Sequence, residues 1–233
     1  MPPRLSIVIP CLNEGELLEQ CLGGLQFFRS QGHELVLVDG GSDASRVSHL
    51  PPYVDQFLVT SPGRARQMNL GALKACGDLL WFLHADTLVD RELEGVIAPL
   101  SQDGPVWGRF DIRLSGSHPM LRVVERMMNW RSRFSGIATG DQGIFVHRRL
   151  FDQVGGFPEQ PLMEDIEISR RLKRIALPVC LRQHLVTSSR RWESRGILQT
   201  ILLMWALRLG YWLGVSPERL AKLYNLESRQ LTG

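Results

Sequence analysis

The sequence predicts an α/β fold built on a mostly parallel sheet that helices cover on both faces. Short apolar runs alternate with longer stretches of helical periodicity, and this alternation is typical of such sheets. A hydrophobic content of 44% with 22% charged residues is that of an ordinary globular protein. Because ligands bind at the carboxyl ends of parallel strands, we look for site residues where the predicted strands end.

The predicted elements alternate in the first half of the chain and lose that order in the second. Strand patterns occupy residues 5–10, 34–40, 55–61 and 78–86, and helical periodicity occupies 14–29 and 64–76. There follow a helix at 92–100, a strand at 106–114, a helix at 120–134, a strand at 140–147, an amphipathic helix that contains Glu164 and a strand-like segment at 179–189. We expect one domain at 1–192, with halves of 1–104 and 105–192, and a helical tail at 193–233.

Charge and cysteine content narrow the class of protein. A net charge of +3 with local arginine clusters suits phosphates or an anionic membrane face better than nucleic acid. Four cysteines without C-x-x-C spacing are typical of buried thiols in a reducing compartment, and the N-terminus shows no secretion signal. We therefore expect a cytoplasmic protein that does not bind nucleic acid.

The first two strands end in acidic or amide side chains. The first runs into P-C-L-N-E, residues 10–14, and the second into V-D-G-G-S-D-A-S, residues 38–45. Two acids on a glycine-rich turn repel phosphate, so this turn is not a phosphate cradle. An acid at a strand end can instead accept a hydrogen bond from a base N–H or a ribose hydroxyl. A turn with an aspartate cap is the alternative.

Two arginines, Arg64 and Arg66, stand at the start of the second predicted helix. Positive charge there opposes the helix dipole, which indicates that an anionic group lies nearby. Solvated surface arginines are the alternative.

The strand at 78–86 closes on His84-Ala85-Asp86 after five large apolar residues. Side chains two apart on a strand share a face, so His84 and Asp86 point the same way and could hold a divalent cation. A strand end followed by a turn is the alternative.

A second acidic pair, Glu164-Asp165, lies in the first turn of an amphipathic helix behind a loop rich in glycine and proline. The helix dipole alone favours acids there. A carboxylate at this place could also serve as a general base.

Taken in order, these motifs resemble the family 2 glycosyltransferases of the GT-A fold, whose sheet is Rossmann-like. The sequence carries P-C-L-N-E, V-D-G-G-S-D-A-S, A-R-Q-M-N-L-G-A, H-A-D, and V-G-G-F followed by E-D. The resemblance implies a nucleotide-sugar donor, usually a UDP-sugar, an unidentified acceptor and a divalent cation, Mn²⁺ or Mg²⁺. It also implies that the first half of the domain binds nucleotide and the second half receives the acceptor.

The resemblance assigns roles by position. Asp86 corresponds to the last acid of the family's D-x-D element and would bind the cation, and Asp165 corresponds to the base, with Glu164 beside it. The residues that it places around the nucleotide sugar are Pro10, Asn13 and Glu14 at base and ribose, Asp39 at the uracil edge, Asp43 in that loop, Arg64 or Arg66 near the nucleotide, Asn69 and Ala85.

One position departs from the family pattern, because His84 replaces the first acid of D-x-D. Manganese tolerates imidazole better than magnesium does. His84 ligates the metal, contacts the ribose or fills space, and the sequence leaves the three open. H-A-D also resembles a small bacterial subfamily whose genomic neighbours include radical-SAM and arsenosugar proteins.

The segment Arg190-Arg191-Trp192 resembles the R-W element of processive relatives, although the full Q-x-x-R-W is absent. It implies an arginine that clamps the diphosphate, with Trp192 near the acceptor. A core position for Trp192 is the alternative.

Residues 197–215 are apolar nearly all round, but Gln199 and Arg208 argue against a membrane span. The stretch packs on the domain or on a second subunit, or it lies in the membrane interface with Arg190, Arg191, Arg195 and Arg219 toward lipid phosphates. Of these we favour packing or dimerisation.

The sequence thus predicts an inverting, metal-dependent glycosyltransferase of the hexosyl-transferring type, with Asp165 as general base. The rival is a non-catalytic nucleotide-sugar-binding protein descended from a transferase, because His84 weakens the metal site.

Overall fold

The structure, a computed structural model, describes residues 5–102 and 104–229, with Arg191 and residues 225–229 as backbone only. The strands are β1 (Leu5–Cys11), β2 (Glu34–Asp39), β3 (Gln56–Val59), β4 (Leu79–Phe82), β5 (Thr87–Leu88), β6 (Trp107–Leu114), β7 (Phe145–His147) and β8 (Val179–Thr187). The helices are α1 (Glu16–Ser30), α2 (Ala44–Val47), α3 (Arg64–Lys74), α4 (Glu94–Ile97), α5 (Pro119–Ser135), α6 (Arg148–Gln153), α7 (Glu164–Lys173), α8 (Arg190–Arg195), α9 (Ile197–Trp212) and α10 (Pro217–Arg229).

All described strands join one mixed sheet in the order β3-β2-β1-β4-β7-β6-β8-β5. Strands β1 to β4 pair in parallel, as do β6 and β8, whereas β7 runs antiparallel to both of its neighbours and β5 to β8. The predicted α/β class is confirmed, and so is the loss of regular alternation in the second half.

Two apolar cores, one on each face of the sheet, explain the continuous hydrophobic pattern of β1. Leu5, Ile7 and Ile9 pack into one core and Val8 into the other, and all four are fully buried. A parallel strand with helices on both faces exposes neither face to water, so its sequence is an unbroken apolar run.

Three predicted elements are wrong in their bounds. The strand at 78–86 ends at Phe82, because its pairing with β1 and β7 stops there. Of the strand at 140–147 only β7 is a strand, since Gly140–Gln142 form a 3₁₀ turn that a Thr139–Gln142 capping box closes. The helix at 92–100 is broken into α4 and two flanking 3₁₀ turns, which agrees with the low helix propensity of Gly95 and Pro99.

Helix α3 lies so close to the sheet that only glycine fits at one contact. A Cβ on Gly71 would overlap Val8 Cγ1 and approach Val38 Cγ2 to 3.1 Å. The Arg148 guanidinium fixes the end of the same helix by donating to the carbonyl oxygens of Ala72 at 2.8 Å and Ala75 at 2.7 Å. Both contacts matter for the site, because the first turn of α3 projects into it.

We expect Gly71→Ala to lower the free energy of unfolding by about 1–3 kcal/mol, because the methyl group must displace β1 or β2 side chains. Gly23→Ala in α1 is the matched control, since a Cβ there meets no atom within 4 Å and alanine favours helix by up to about 1 kcal/mol. Urea unfolding of both variants measures the difference. Equal stability of the two variants would contradict the close packing of α3.

Candidate active site

A cleft of about 850 Å³ opens at the carboxyl ends of β1 and β4. The first half of the chain supplies one wall, and the 139–141 turn, the start of α7 and the C-terminal helices supply the other. Its predicted lining residues are Pro10, Glu14, Arg64, His84, Ala85, Asp86, Glu164, Asp165 and Trp192. The structure therefore brings together most of the residues that the motifs singled out across the sequence.

A buried glutamine joins the ends of β1 and β2 beside this cleft. Gln67 Nε2 donates to the carbonyl oxygens of Cys11 at 2.7 Å and Val38 at 2.9 Å. These carbonyls lie where the two strands part, so Gln67 fixes the floor of the cleft. Gln67 lies within the A-R-Q-M-N-L-G-A motif, but the sequence assigned it no role, since a polar residue in the first turn of a helix is ordinary.

Asp39 stabilises the loop that follows β2 by hydrogen bonds. It is buried, and its carboxylate accepts hydrogen bonds from the backbone N–H of Gly41 and of Ser42 and from the Ser42 hydroxyl. Asn13 ties the two loops together, because its side-chain oxygen accepts from Asp43 N at 3.1 Å and its own N–H donates to Ser42 Oγ. Asp39, Asn13 and Asp43 do not line the cleft, and their contact with a nucleotide stays a prediction.

Two other predicted residues are engaged away from the cleft. The Asn69 amide forms a hydrogen-bonded pair with the backbone of Phe157, at 2.8 and 2.9 Å, and so joins α3 to the loop before α7. Arg66 lies 3.3 Å from Glu159 and donates to the Ser61 hydroxyl. Neither lines the cleft. The side chain of Arg191, also predicted, lies outside the described residues.

Glu14 and Asp86 face each other across the mouths of β1 and β4. Burial, and then the negative charge of Asp86, raise the pKa of Glu14 above 4.5, while Arg190, His84 and Arg64 oppose the shift. Two acids therefore share a site with cationic groups from α8 and α3. Such a site can accept an anion and a cation together.

His84 does not follow strand alternation, because it lies beyond the end of β4, where it, Ala85 and Asp86 all reach the cleft. Its Nδ1 lies 3.1 Å from Asp141 Oδ1, and its Nε2 is buried against Gly140 with no hydrogen-bond partner. Both nitrogens are thus turned toward the 139–142 turn. A role of His84 at a metal or at a ribose stays a prediction.

Asp165 is held at the other side of the cleft by backbone donors. Its Oδ2 accepts the Gly140 N–H at 2.9 Å and its Oδ1 accepts the Ile166 N–H at 2.8 Å. The adjacent Glu164 is buried, and its Oε1 lies 3.5 Å from Arg64 Nη1. Burial and then Asp165 raise the pKa of Glu164, against the opposing charges of Arg64 and His84.

Two features of the cleft were not predicted from the sequence: the turn that carries Asp141, and the lining of the cleft by helices of the predicted tail. A T-x-x-Q capping box, Thr139 to Gln142, was the available signal for that turn. Residues of α9 and α10, among them Leu207, Arg208 and Tyr224, line the cleft through long-range packing that has no local signature.

Two half-buried arginines, Arg131 and Arg208, interact with the acids of this wall. Burial lowers the pKa of Arg208, and burial together with Arg208 lowers the pKa of Arg131 to about 10, while Asp165 and Asp141 pull both values back up. The Nε and Nη2 atoms of Arg131 have no hydrogen-bond partner.

The described residues offer few ligands for the cation that the motifs imply. Within residues 5–102 and 104–229 no three His, Cys, Asp or Glu side chains are grouped as metal ligands. Of the acids that line the cleft, Asp86 is the one that the H-A-D motif assigns to the cation. Mg²⁺ is commonly held by one or two carboxylates together with substrate phosphates, so the donor set fits a cation that is bound with a diphosphate.

A family model decides the class of protein. The model described as glycosyl transferase family 2 matches residues 6–155, more than half of the chain. The chain belongs to this family. The matched range carries the β1, β2, α3 and β4 motifs and the 139–142 turn, whereas α7 and the C-terminal helices lie beyond it.

Relatives and solved structures agree with this assignment. An uncharacterised glycosyltransferase of Mycobacterium tuberculosis is 32% identical over 192 residues, which cover 77% of this chain and 72% of the relative. The crystal structure of Staphylococcus aureus TarS 1–349 superposes with a TM-score of 0.65 at 17% identity, over 82% of this chain and 63% of that TarS chain. A Pyrobaculum calidifontis mannosyltransferase in complex with GDP-Man and Mn²⁺ gives a TM-score of 0.57 at 19% identity, over 89% of this chain and 65% of that protein. The GT-A-like fold is thereby confirmed.

The raised pKa of Glu164 predicts how stability depends on pH. A carboxyl whose folded-state pKa is raised adds stability below its unfolded pKa, and this contribution is lost as the pH rises through the folded pKa. We therefore expect the free energy of unfolding to fall as the pH rises from 4.5 toward neutrality, and to fall less in Glu164→Gln. Urea unfolding at both pH values measures this. Glu159→Gln, which removes an exposed acid, is the control and should behave as wild type; an equal fall in Glu164→Gln would contradict the assignment.

Proposed function

We propose that the chain transfers a sugar, of the hexosyl type, from a UDP-sugar to a nucleophilic acceptor with inversion at the anomeric carbon. The observation that carries the proposal is the cleft itself, which Asp86, Asp165, Arg64 and Arg190 all line. A crystal structure of TarS in complex with UDP-GlcNAc supports the choice of a uridine nucleotide, with a TM-score of 0.62. The match spans 58% of the TarS 1–349 chain in that structure, so the full activity of TarS is not carried over.

The arginines would bind the diphosphate and offset the charge that grows on it as the bond to the sugar breaks. Arg64 projects from the N-terminus of α3 and is 47% exposed, so one side of its guanidinium is open to a ligand while Glu164 holds the other. Arg190 lies near Glu14 at the start of α8. Guanidinium groups bind phosphate oxygens in a bidentate way, which also orients the leaving group.

Asp165 would remove the proton of the acceptor as its oxygen attacks the anomeric carbon. Each carboxylate oxygen already accepts one backbone hydrogen bond and keeps a second lone pair for the acceptor hydroxyl. The Gly140 and Ile166 N–H groups fix its direction. A base held in this way needs no rearrangement before the reaction.

Asp86 would hold the divalent cation, Mn²⁺ or Mg²⁺, together with the diphosphate oxygens. When bound, such a cation offsets negative charge on the leaving diphosphate. His84 is assigned a positioning role, because it fixes the 139–142 turn through Asp141. The backbone N–H of Gly140 in that turn donates a hydrogen bond to Asp165.

The cysteines support a reducing, cytoplasmic location. All four are free, and burial raises the pKa of the Cys11 and Cys21 thiols to about 12. Cys76 is exposed, contrary to the expectation of four buried thiols. The likeness to the arsenosugar-associated subfamily stays a prediction, and so does the independence of residues 1–192 from the tail.

Asp165→Asn tests the base. We expect turnover to fall by about 10²–10⁴-fold, because the amide cannot take the proton, while UDP affinity stays within a factor of two to three. Release of nucleoside diphosphate from a panel of donor sugars measures turnover, and calorimetry measures affinity. Glu159→Gln, outside the cleft, is the control for the loss of a carboxylate. Full turnover in Asp165→Asn would refute the assignment, and donor binding without turnover in wild type would favour the non-catalytic rival.

Asp86→Asn tests the cation site. We expect Mn²⁺ to strengthen UDP binding to wild type by at least about tenfold, or about 1.4 kcal/mol, and to have no effect on the variant. Calorimetry with Mn²⁺ and with a chelator measures both. His84→Gln is the matched variant two positions away, and we expect it to keep the Mn²⁺ effect. Loss of that effect in His84→Gln with retention in Asp86→Asn would reverse the two roles.

A further inference from the structure

Helix α9 exposes a continuous apolar stripe. The residues at spacings of three and four, Leu198, Leu202, Trp205, Leu209 and Trp212, all have exposed side chains, and Trp212 is 78% exposed. Such spacing places them on one face of the helix. The opposite face is occupied, since Met204, Leu207 and Arg208 line the cleft. Helix α9 therefore cannot bury its stripe by rotating.

Helix α5 exposes a second stripe of the same kind. It consists of Met120, Val123, Met127, Trp130 and Phe134, of which Phe134 is 82% exposed. The Trp130 and Phe134 rings stack on each other with centroids 5.7 Å apart, in contact with solvent rather than with the core. In the sequence only residues 197–215 stand out as an unusually apolar stretch, because α5 is amphipathic and its pattern is that of an ordinary core helix.

The two stripes belong to neighbouring helices. Leu121 and Val124 of α5 belong to one small core, and Met128 of α5 and Ile197 and Ile201 of α9 pack against it. Both helices therefore meet the same core, and we call the ten exposed side chains of the two stripes the α5–α9 face.

The charged side chains that α5 and α9 expose are all positive. From Gly116 to Gly140 the only acid is Glu125, which is buried and paired with Arg122, and residues 194–217 contain no acid. Arg126 is exposed and Arg133, paired with Asp111, is partly so; both lie three positions after a stripe residue and flank the face. Of the four arginines that the sequence assigned to lipid, Arg190 and Arg195 line the cleft instead.

We propose that the α5–α9 face docks on a lipid bilayer that contains anionic phospholipids. Tryptophan and phenylalanine side chains insert at the boundary between headgroups and acyl chains, and flanking arginines bind lipid phosphates. A second copy fits this face less well, because it would bring the same arginines together without an exposed acid on either helix. Among the described residues no helix has the length and hydropathy to cross a bilayer, so the contact is one of docking.

The test is co-sedimentation of the full chain with vesicles of phosphatidylcholine alone or mixed with phosphatidylglycerol. We expect binding to the mixed vesicles, at least about tenfold weaker binding to phosphatidylcholine alone, and weakening by salt. The double variants Trp205→Ser/Trp212→Ser and Trp130→Ser/Phe134→Ser should each bind at least about tenfold more weakly than wild type. Since these side chains are exposed, the variants should fold.

Leu73→Ser/Leu177→Ser is the matched control, because both leucines are at least 75% exposed and lie outside the face. It should bind vesicles as wild type does. Unchanged binding of both aromatic double variants would overturn the proposal. A second result would also overturn it: wild type does not bind anionic vesicles and sediments as a dimer, while the aromatic variants are monomeric. The occupant of the face would then be a second copy. The readout does not depend on sugar transfer, so it stands apart from the proposed activity.

Discussion

Five carboxylates converge on one cleft, and the rest of the site is arranged around their mutual repulsion. Glu14 and Asp86 arrive from the ends of β1 and β4, Asp141 from the 139–142 turn, and Glu164 and Asp165 from the start of α7. Burial raises the pKa values of Glu14 and Glu164, and the charges of Asp86 and Asp165 raise them further. A cluster of this kind is stable only with compensating cations or donors close by.

The compensation comes from elements far apart in the sequence. Arg64 is supplied by α3, Arg190 by α8 and Arg208 by α9, and backbone N–H groups satisfy Asp165. Four arginines, Arg64, Arg190, Arg195 and Arg208, line the cleft together with the five carboxylates. Such a lining suits a ligand that carries both signs of charge, as a diphosphate with a divalent cation does.

Local patterns predicted the parts of the fold that local physics decides. Strands β1 and β2 have nearly the predicted bounds, because an unbroken apolar run has no other stable place than between two helical layers. The predicted end of β4 was four residues too late. A strand ends where its partners stop pairing, and the partner β7 is too distant in sequence for a local pattern to show this. The same holds for the site: motif order identified Asp86 and Asp165, whereas Gln67 and Arg208 are defined by the elements they face.

The tail also supports the start of α7. Met163, immediately before Glu164, has a left-handed backbone with φ of +67°, which costs a non-glycine residue about 1–3 kcal/mol. Its side chain is buried in a small core with Leu207 and Leu220 from α9 and α10. Strained backbone persists only where its surroundings fix it, so this core helps to hold Glu164 and Asp165 in the cleft. One helix, α9, thus supports the acidic pair on one side and carries half of the apolar α5–α9 face on the other.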